Sequence, residues 1–256
     1  MLNKREEFIN DGEQELYGFP QNRNIEINVA DLSPTNDKQQ GENNQPDCYT
    51  PPWMTIAIEQ AKEIGARDES QVDNIIRKYH KSATGSELEG GKSHWCASFV
   101  SWALKESGME NTPRSAGSRF FRDESDESPQ FKDSWGRQEE FGEGLRPVKE
   151  GEEKLGDIAV WANMDKDGNH KDSGHVAFIF GKDKDGNKLF LGGSQGDTLR
   201  VKEYPIEDTK TRAFIGYFRP EEAQNTHSIC DLTQYYDVSA ANEAAIGKEI
   251  EIGGTR

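Results

Sequence analysis

The chain has 256 residues, enough for one substantial core, but only 32% of them are apolar, a low share for a globular protein. This composition predicts one compact domain with polar extensions. Thirty-one basic residues stand against 47 acidic ones, which leaves a net charge of −16. Such a charge argues against binding to nucleic acid or to anionic membranes, and is compatible with a basic protein partner.

We expect neither a membrane anchor nor a cleaved signal peptide. No apolar run reaches the length of a membrane span, and no apolar region follows the charged N-terminus. We therefore expect synthesis in the cytoplasm without membrane insertion, and export, if any, by another route. The three cysteines have neither metal-ligand spacing nor a disulfide framework. Cys48 and Cys230 could pair with each other, but we take both as free thiols.

Three helices are predicted after a polar N-terminal extension over residues 1–49. The first begins at Pro51–Trp53 and ends near Gly65, the second covers residues 71–80, and the third covers residues 96–107. A charged stretch over about residues 122–153, interrupted by glycines, predicts an insertion or lid.

Strands are predicted in the second half of the chain, over residues 156–161, 175–180, 188–191, 199–203 and 213–217. Asp-Gly-Asn turn signals precede two of them. Helices followed by an antiparallel sheet predict an α+β fold over residues 50–220. Residues 221–256 are predicted to form a polar tail, with a helix near residues 240–246.

The most informative segment is Ser93–Trp102, in which a helix pattern begins at Cys96. Backbone N–H groups in the first turn of a helix, together with the helix dipole, favour a thiolate, which is the nucleophilic form of cysteine. His175 stands far downstream, at the start of an apolar strand. A cysteine and a histidine in these positions are typical of papain-like thiol hydrolases. The simpler interpretation of Cys96 is a small buried apolar residue.

The other histidines are expected at the surface: His80, His94, His170 and His227. His94 lies two residues before Cys96 and could line the site, but His175 is the better candidate for a base. The backbone N–H of Cys96 is the simplest oxyanion donor. Asp157 is interpreted as a turn residue.

A third polar residue should orient the imidazole of His175. If a two-residue turn at 185–186 joins the strands, counting outward pairs Phe180 with Leu191, Ala177 with Ser194, and His175 with Gly196. This register puts Ser194 diagonally beside His175 on one face of the sheet. Gln195 points to the other face unless a bulge at Gly192–Gly193 turns it, so it stays as the second candidate.

A metal site has weak support. Asn163, Asp165, Asp167 and Gly168 have the spacing of the first half of a calcium loop, but Gly174 stands where the closing glutamate belongs. Hairpin turns explain the Asp-Gly pairs without a metal ion. No metal and no cofactor are therefore expected.

Four motifs together resemble a known group of enzymes: Pro51–Trp53, Trp95–Trp102, Gly156–Trp161 leading to Gly174–Ala177, and Leu191–Gln195. They resemble the papain-related cell-wall peptidases and amidases of bacteria and phages, the NlpC-type and CHAP superfamily. The closer likeness is to a subfamily found in phage lysins and type VI secretion effectors. One departure is Ser194, where that subfamily has asparagine.

The resemblance implies a papain-like core, in which N-terminal helices pack on an antiparallel β-sheet. Cys96 would be the nucleophile and His175 the general base, with Ser194 or Gln195 as the orienting residue. Trp95 and His94 would bind the substrate, which would be an amide in the peptide part of peptidoglycan.

The acidic charge and the absence of a basic wall-binding module favour an antibacterial effector over a phage-type endolysin. An effector would pass through a secretion apparatus into the periplasm of target cells, and an immunity protein would inhibit it in the producer. Two other functions stay open: a catalytically degenerate binding module, and a thiol hydrolase of protein amides.

Overall fold

The helices and strands follow the predicted order within residues 48–121, 144–223 and 228–247, which the computed structural model describes. Three helices come first: α1 (Pro52–Ile64), α2 (Asp73–Thr84) and α3 (Cys96–Glu106). Short 3₁₀ turns cover Gly90–Lys92 and Ser118–Phe121. The helix α4 (Val238–Ile246) comes last.

Six strands form one antiparallel sheet in the order β1-β6-β2-β3-β4-β5. Their bounds are β1 Leu145–Val148, β2 Ile158–Met164, β3 His170–Lys182, β4 Lys188–Gly192, β5 Arg200–Glu203 and β6 Arg212–Pro220. The predicted α+β fold, with N-terminal helices packed on an antiparallel sheet, is confirmed. The edge strand β1 lies inside the stretch predicted as an insertion, so residues 145–148 belong to the sheet.

The two faces of the sheet carry different apolar clusters, because successive side chains of a strand point to opposite sides. The helices bury one face, and their contribution includes Trp53, Met54, Ile58, Phe99, Val100 and Leu104. The opposite face holds a smaller cluster: Ala159, Trp161, Ala177, Ile179, Phe190 and Tyr217. Odd-numbered positions of β3, including that of His175, therefore belong to the face away from the helices.

A buried ion pair joins β2 to β6. The guanidinium of Arg219 donates to both carboxylate oxygens of Asp157, at 2.6 and 2.7 Å, and the Lys154 N–H donates to one of them. Asp157 is fully buried. The interpretation of Asp157 as a simple turn residue was therefore incomplete, because its carboxylate ties two strands together.

The prediction of free thiols at Cys48 and Cys230 was wrong, because a disulfide joins them across 182 residues of sequence. The backbone around Tyr49 runs beside that around Ile229: the Tyr49 N–H donates to Ser228 O, and the Cys230 N–H donates to Tyr49 O. No local spacing signals a contact between segments so far apart in sequence.

The folded unit extends beyond the predicted boundary at residue 220. Ala241 and Ala245 of α4 are fully buried in the main core, and the Asn242 side chain hydrogen-bonds the backbone of Val201 in β5. Most of the predicted N-terminal extension, and residues 122–143 of the predicted insertion, lie outside the described residues. Within the described part of the chain, no helix has the length and apolarity needed to cross a membrane.

Candidate active site

Cys96 is the first residue of α3, as predicted, and its side chain lies at the contact between this helix and β3. Its sulfur is within hydrogen-bonding reach of the backbone N–H groups of Val176, Ala97 and Cys96 itself. The residue keeps 5% of its surface exposed. Cys96 therefore touches the strand one residue after His175.

The ending of β4 explains why the Val176 N–H faces the sulfur. The Ile179 N–H donates to Asp157 O, so the N–H groups of odd-numbered β3 residues face β2 and those of even-numbered residues face β4. The pairing between β3 and β4 begins only at Phe178 and Leu191. At Val176, the Cys96 sulfur therefore takes the place that a neighbouring strand would occupy.

Burial decides the ionisation of Cys96. Burial raises the pKa of the thiol, while the three backbone N–H groups and the positive charge of Arg212 act in the opposite direction without outweighing it. The sequence predicted a thiolate from the helix dipole alone. The structure instead favours a neutral thiol at rest, because desolvation penalises the charged form.

Gln195 is the side chain that the structure brings to His175. Its Oε1 lies 3.3 Å from His175 Nε2, and its Nε2 donates to the carbonyls of Phe190 at 3.0 Å and Arg200 at 2.5 Å. Because two carbonyls occupy the amide N–H groups, the amide oxygen must face the imidazole. The imidazole then carries its hydrogen on Nε2, and Nδ1 is left to accept the proton of a thiol.

The predicted register was wrong, and Ser194 does not make the predicted contact. The turn closes with Asp183 paired to Asn187, so three residues rather than two lie between them. A bulge between Ile179 and Gly181 shifts the strands further, and Leu191 faces Phe178 instead of Phe180. No hydrogen bond joins Ser194 to His175 in the described structure, and Ser194 takes a left-handed φ of 58°. The left-handed backbone at Ser194, just after Gly192–Gly193, turns the chain so that Gln195 faces the imidazole.

Two aromatic rings surround His175. Its imidazole stacks on Tyr204, with ring centroids 4.7 Å apart, and lies 5.8 Å from the ring of Trp161. Burial, followed by the charge of Arg212, lowers the pKa of His175 to about 3. The imidazole is therefore neutral at rest, because burial and the charge of Arg212 both oppose its protonation.

Sequence reasoning missed Tyr204 and Arg212. Arg212 faces Asn163 of β2 in the sheet, and Tyr204 follows the end of β5. Their approach to His175 depends on the order and register of the strands, which no local pattern encodes. An aromatic residue or an arginine at a strand end gives no signal by itself.

The two predicted substrate-binding residues lie in different environments. Trp95 is fully buried: its indole N–H donates to Glu69 at 3.1 Å, and its ring packs on the backbone of Gly193. A side chain on Gly193 would come within 2.3 Å of that ring, so glycine is required there. Trp95 thus supports the loop before Gln195 and presents no surface to a substrate. His94 is exposed, and its charge contributes to the lowered pKa of His175, which places it near the site.

The expectation of a surface position was wrong for His80. Its ring is fully buried, with Nδ1 2.8 Å from the Ser98 hydroxyl and Nε2 3.1 Å from the Gly90 carbonyl. His80 therefore links α2 to the helix of Cys96 and to the loop before it. His170 is half-buried at the start of β3, and His227 lies outside the described residues.

The aspartates of the calcium-like stretch shape a turn. The Asp165 carboxylate accepts from the N–H groups of Asp167 and Asn169, and Asp183 does the same in the next turn, which has the same sequence. Within residues 48–121, 144–223 and 228–247, no three histidine, cysteine or acidic side chains gather as they would around a metal ion. The described structure thus suggests no ligand set at this turn.

A cysteine at a helix start, a histidine on the adjacent strand and a side-chain amide behind it form a papain-like arrangement. Residues 88–193, about two fifths of the chain, match the family model described as CHAP domain. This match is consistent with the papain-like cell-wall peptidase and amidase superfamily. The match includes Cys96 and His175 and ends two residues before Gln195.

A CHAP domain implies hydrolase activity on peptidoglycan, as an amidase or a peptidase. Peptidoglycan is therefore the implied substrate. Comparisons with curated proteins and with solved structures found no match.

Proposed function

We propose that this protein is a cysteine-dependent peptidoglycan hydrolase that cleaves an amide bond in the peptide part of the bacterial cell wall. The observation that carries the proposal is the hydrogen bond from His175 to Gln195, beside a sulfur that touches the strand at Val176. Gln195 is fully buried and held by two backbone carbonyls, so its oxygen fixes the tautomer of the imidazole.

The first step is acylation of the thiol. The imidazole Nδ1 takes the proton of Cys96 as the sulfur attacks the scissile carbonyl carbon. The oxyanion accepts a hydrogen bond from the backbone N–H of Cys96, in the first turn of α3, where no intrahelical acceptor exists. The C–N bond then breaks, and the imidazolium returns its proton to the leaving amine.

The second step releases the product acid. Water attacks the acyl carbon while His175 accepts a proton, the C–S bond breaks, and the thiol recovers its proton from the imidazolium. Gln195 accepts the N–H on the opposite side of the ring throughout. Its role is to hold the imidazole in one orientation, because a glutamine amide does not exchange protons in this pH range.

We further propose that the protein acts outside the cytoplasm, as an antibacterial effector delivered to the periplasm of target cells. The Cys48–Cys230 disulfide supports this site of action, because structural disulfides persist in oxidising compartments and are rare in the cytosol. The net charge of −16 disfavours adhesion to anionic cell walls, as expected of a delivered toxin rather than of a wall-binding endolysin. A secretion apparatus and an immunity protein would be its partners.

Digestion of purified peptidoglycan tests the proposal. Wild type, Cys96→Ala, His175→Ala and the exposed-surface control Lys105→Gln are compared, and the released fragments are identified by mass spectrometry. We expect new fragments from wild type and the control, and none from the two site variants. The fragments also identify the bond that is cut.

Thiol labelling separates the alternatives. The absence of fragments together with a Cys96 that resists iodoacetamide would support a degenerate binding module. The absence of fragments with a reactive Cys96 would point to an amide in another substrate, such as a protein. Fragments that persist in Cys96→Ala would refute cysteine catalysis.

A further inference from the structure

Two cations flank the aromatic ring that stacks on His175. The guanidinium carbon of Arg212 lies 5.0 Å from the centre of the Tyr204 ring, and the ammonium nitrogen of Lys202 lies 5.4 Å from it. Tyr204 therefore holds positive charge one ring away from the imidazole.

Arg212 has no acidic partner in the described structure, since none of the carboxylates there lies within salt-bridge distance of it. Its side chain is half-buried, whereas Lys202 is exposed. The chain carries 47 acidic residues against 31 basic ones, so an arginine without an acidic partner beside the candidate site is notable. Arg219, by contrast, has a bidentate partner in Asp157.

The charge of Arg212 opposes protonation of His175 while no anion is bound. This charge lowers the pKa of both His175 and Cys96, so it lies within electrostatic range of both reacting groups. A positive charge there disfavours the imidazolium that must form when the thiol transfers its proton. An anion on Arg212 would cancel this effect and restore the basicity of the imidazole.

We propose that Arg212, assisted by Lys202, binds an ionised carboxylate of the substrate close to the scissile amide. The planar guanidinium is suited to carboxylates, which it binds through two parallel hydrogen bonds. This inference rests on the proposed function and narrows its substrate to a peptide amide with a free carboxylate on an adjoining residue. Such bonds occur within stem peptides and at cross-links. The amide between the lactyl group and alanine has no free carboxylate on either group that it joins.

Alkylation of Cys96 tests the carboxylate site without any peptidoglycan. Cys96 is the free thiol, because Cys48 and Cys230 are bonded to each other. Iodoacetate carries a carboxylate and iodoacetamide is neutral, yet both transfer their carbon to sulfur with loss of iodide. A change in the reactivity of the thiol alters both rate constants alike and leaves their ratio unchanged. The ratio therefore measures how strongly the site attracts the carboxylate of iodoacetate.

We expect Arg212→Gln to lower the iodoacetate-to-iodoacetamide ratio about tenfold, the scale of one charge-assisted contact. Lys202→Gln should lower it less, because its side chain is exposed. Lys105→Gln removes the same charge near the far end of α3, roughly 13 Å from Cys96 at the rise of a helix, and should leave the ratio unchanged. An equal ratio in wild type and Arg212→Gln would refute the carboxylate site.

Paired substrates separate this inference from the proposed function. Peptidoglycan fragments with the adjoining carboxylate either free or converted to a carboxamide are digested by wild type and by Arg212→Gln. We expect wild type to prefer the free carboxylate at least about tenfold in kcat/KM, and the variant to lose that preference. Equal cleavage of both fragments by wild type would overturn the carboxylate site alone. Cleavage of neither, or a Cys96 inert to both reagents, would overturn the proposed function and this inference with it.

Discussion

Replacing Gln195 by methionine should remove the orientation of His175 while preserving the volume of the side chain. The wild-type amide accepts from the imidazole and donates to the carbonyls of Phe190 and Arg200. Methionine fills similar space but makes none of these three hydrogen bonds. The imidazole can then rotate or change its tautomer, and its Nδ1 is no longer held ready for the thiol.

The expected magnitude follows from the groups left unpaired. Each buried donor or acceptor without a partner costs about 1–3 kcal/mol, and Gln195 is fully buried. We therefore expect Gln195→Met to lose about 2–4 kcal/mol of unfolding free energy, since water and local relaxation recover part of the loss. Catalysis should also fall: we expect a drop in kcat/KM of about 100-fold, which corresponds to about 2.7 kcal/mol of lost transition-state stabilisation.

The matched control is Ser194→Ala, one residue earlier. Its hydroxyl makes no hydrogen bond to His175 in the described structure, so kcat/KM for peptidoglycan fragments should change by less than about twofold. Both variants are first shown to be folded by circular dichroism at the assay temperature. If Ser194→Ala loses as much activity as Gln195→Met, or if Gln195→Met keeps wild-type activity, the orienting role of Gln195 is refuted.

Two further predictions concern stability. The pKa of His175 is lowered to about 3 by burial and then by Arg212, so the native imidazole stays neutral while the unfolded chain takes up a proton below about pH 6.5. The unfolding free energy should therefore fall as the pH drops from about 6.5. In denaturant titrations at about pH 5, the His175→Gln variant should lose about 2 kcal/mol less than wild type. Equal pH slopes in the two proteins would mean that the native imidazole is protonated. Reducing the Cys48–Cys230 disulfide, which closes a loop across 182 residues, should lower the unfolding free energy by about 2–4 kcal/mol. Reductant should therefore lower the Tm of wild type but not that of a variant with both cysteines replaced by serine. A wild-type Tm that reductant does not change would show that the bridge does not stabilise the fold.

The sequence predicted those parts of the fold that local patterns encode. Apolar residues at helical spacing located α1, α2 and α3 to within a few residues, and alternating apolar runs located the central strands. The helix start at Cys96 and the strand at His175 followed from the same patterns. Together these positions defined a papain-like arrangement before any contact between the two elements was known.

Contacts that depend on register or on distant segments were not predictable in this way. A one-residue change in the length of the turn and one bulge moved Leu191 from Phe180 to Phe178, which exchanged Ser194 for Gln195 at the imidazole. The disulfide depends on two segments at opposite ends of the domain that run side by side. Local sequence carries no signal of the Asp157 ion pair, because its partner, Arg219, stands 62 residues later.

The protonation state at rest shows how packing can reverse a local prediction. The first turn of a helix lowers the pKa of a cysteine when the sulfur is hydrated, but at 5% exposure the cost of burying a charge is larger. His175 is disfavoured as a cation by the same burial and by Arg212, so the two groups meet as neutral thiol and neutral imidazole. In the proposed mechanism, proton transfer therefore accompanies attack on the carbonyl, when the oxyanion donor and an anion on Arg212 stabilise the charges that form. If the proposed function holds, such a site stays inactive until its substrate is in place, which suits an enzyme made inside a cell whose own wall it could cut.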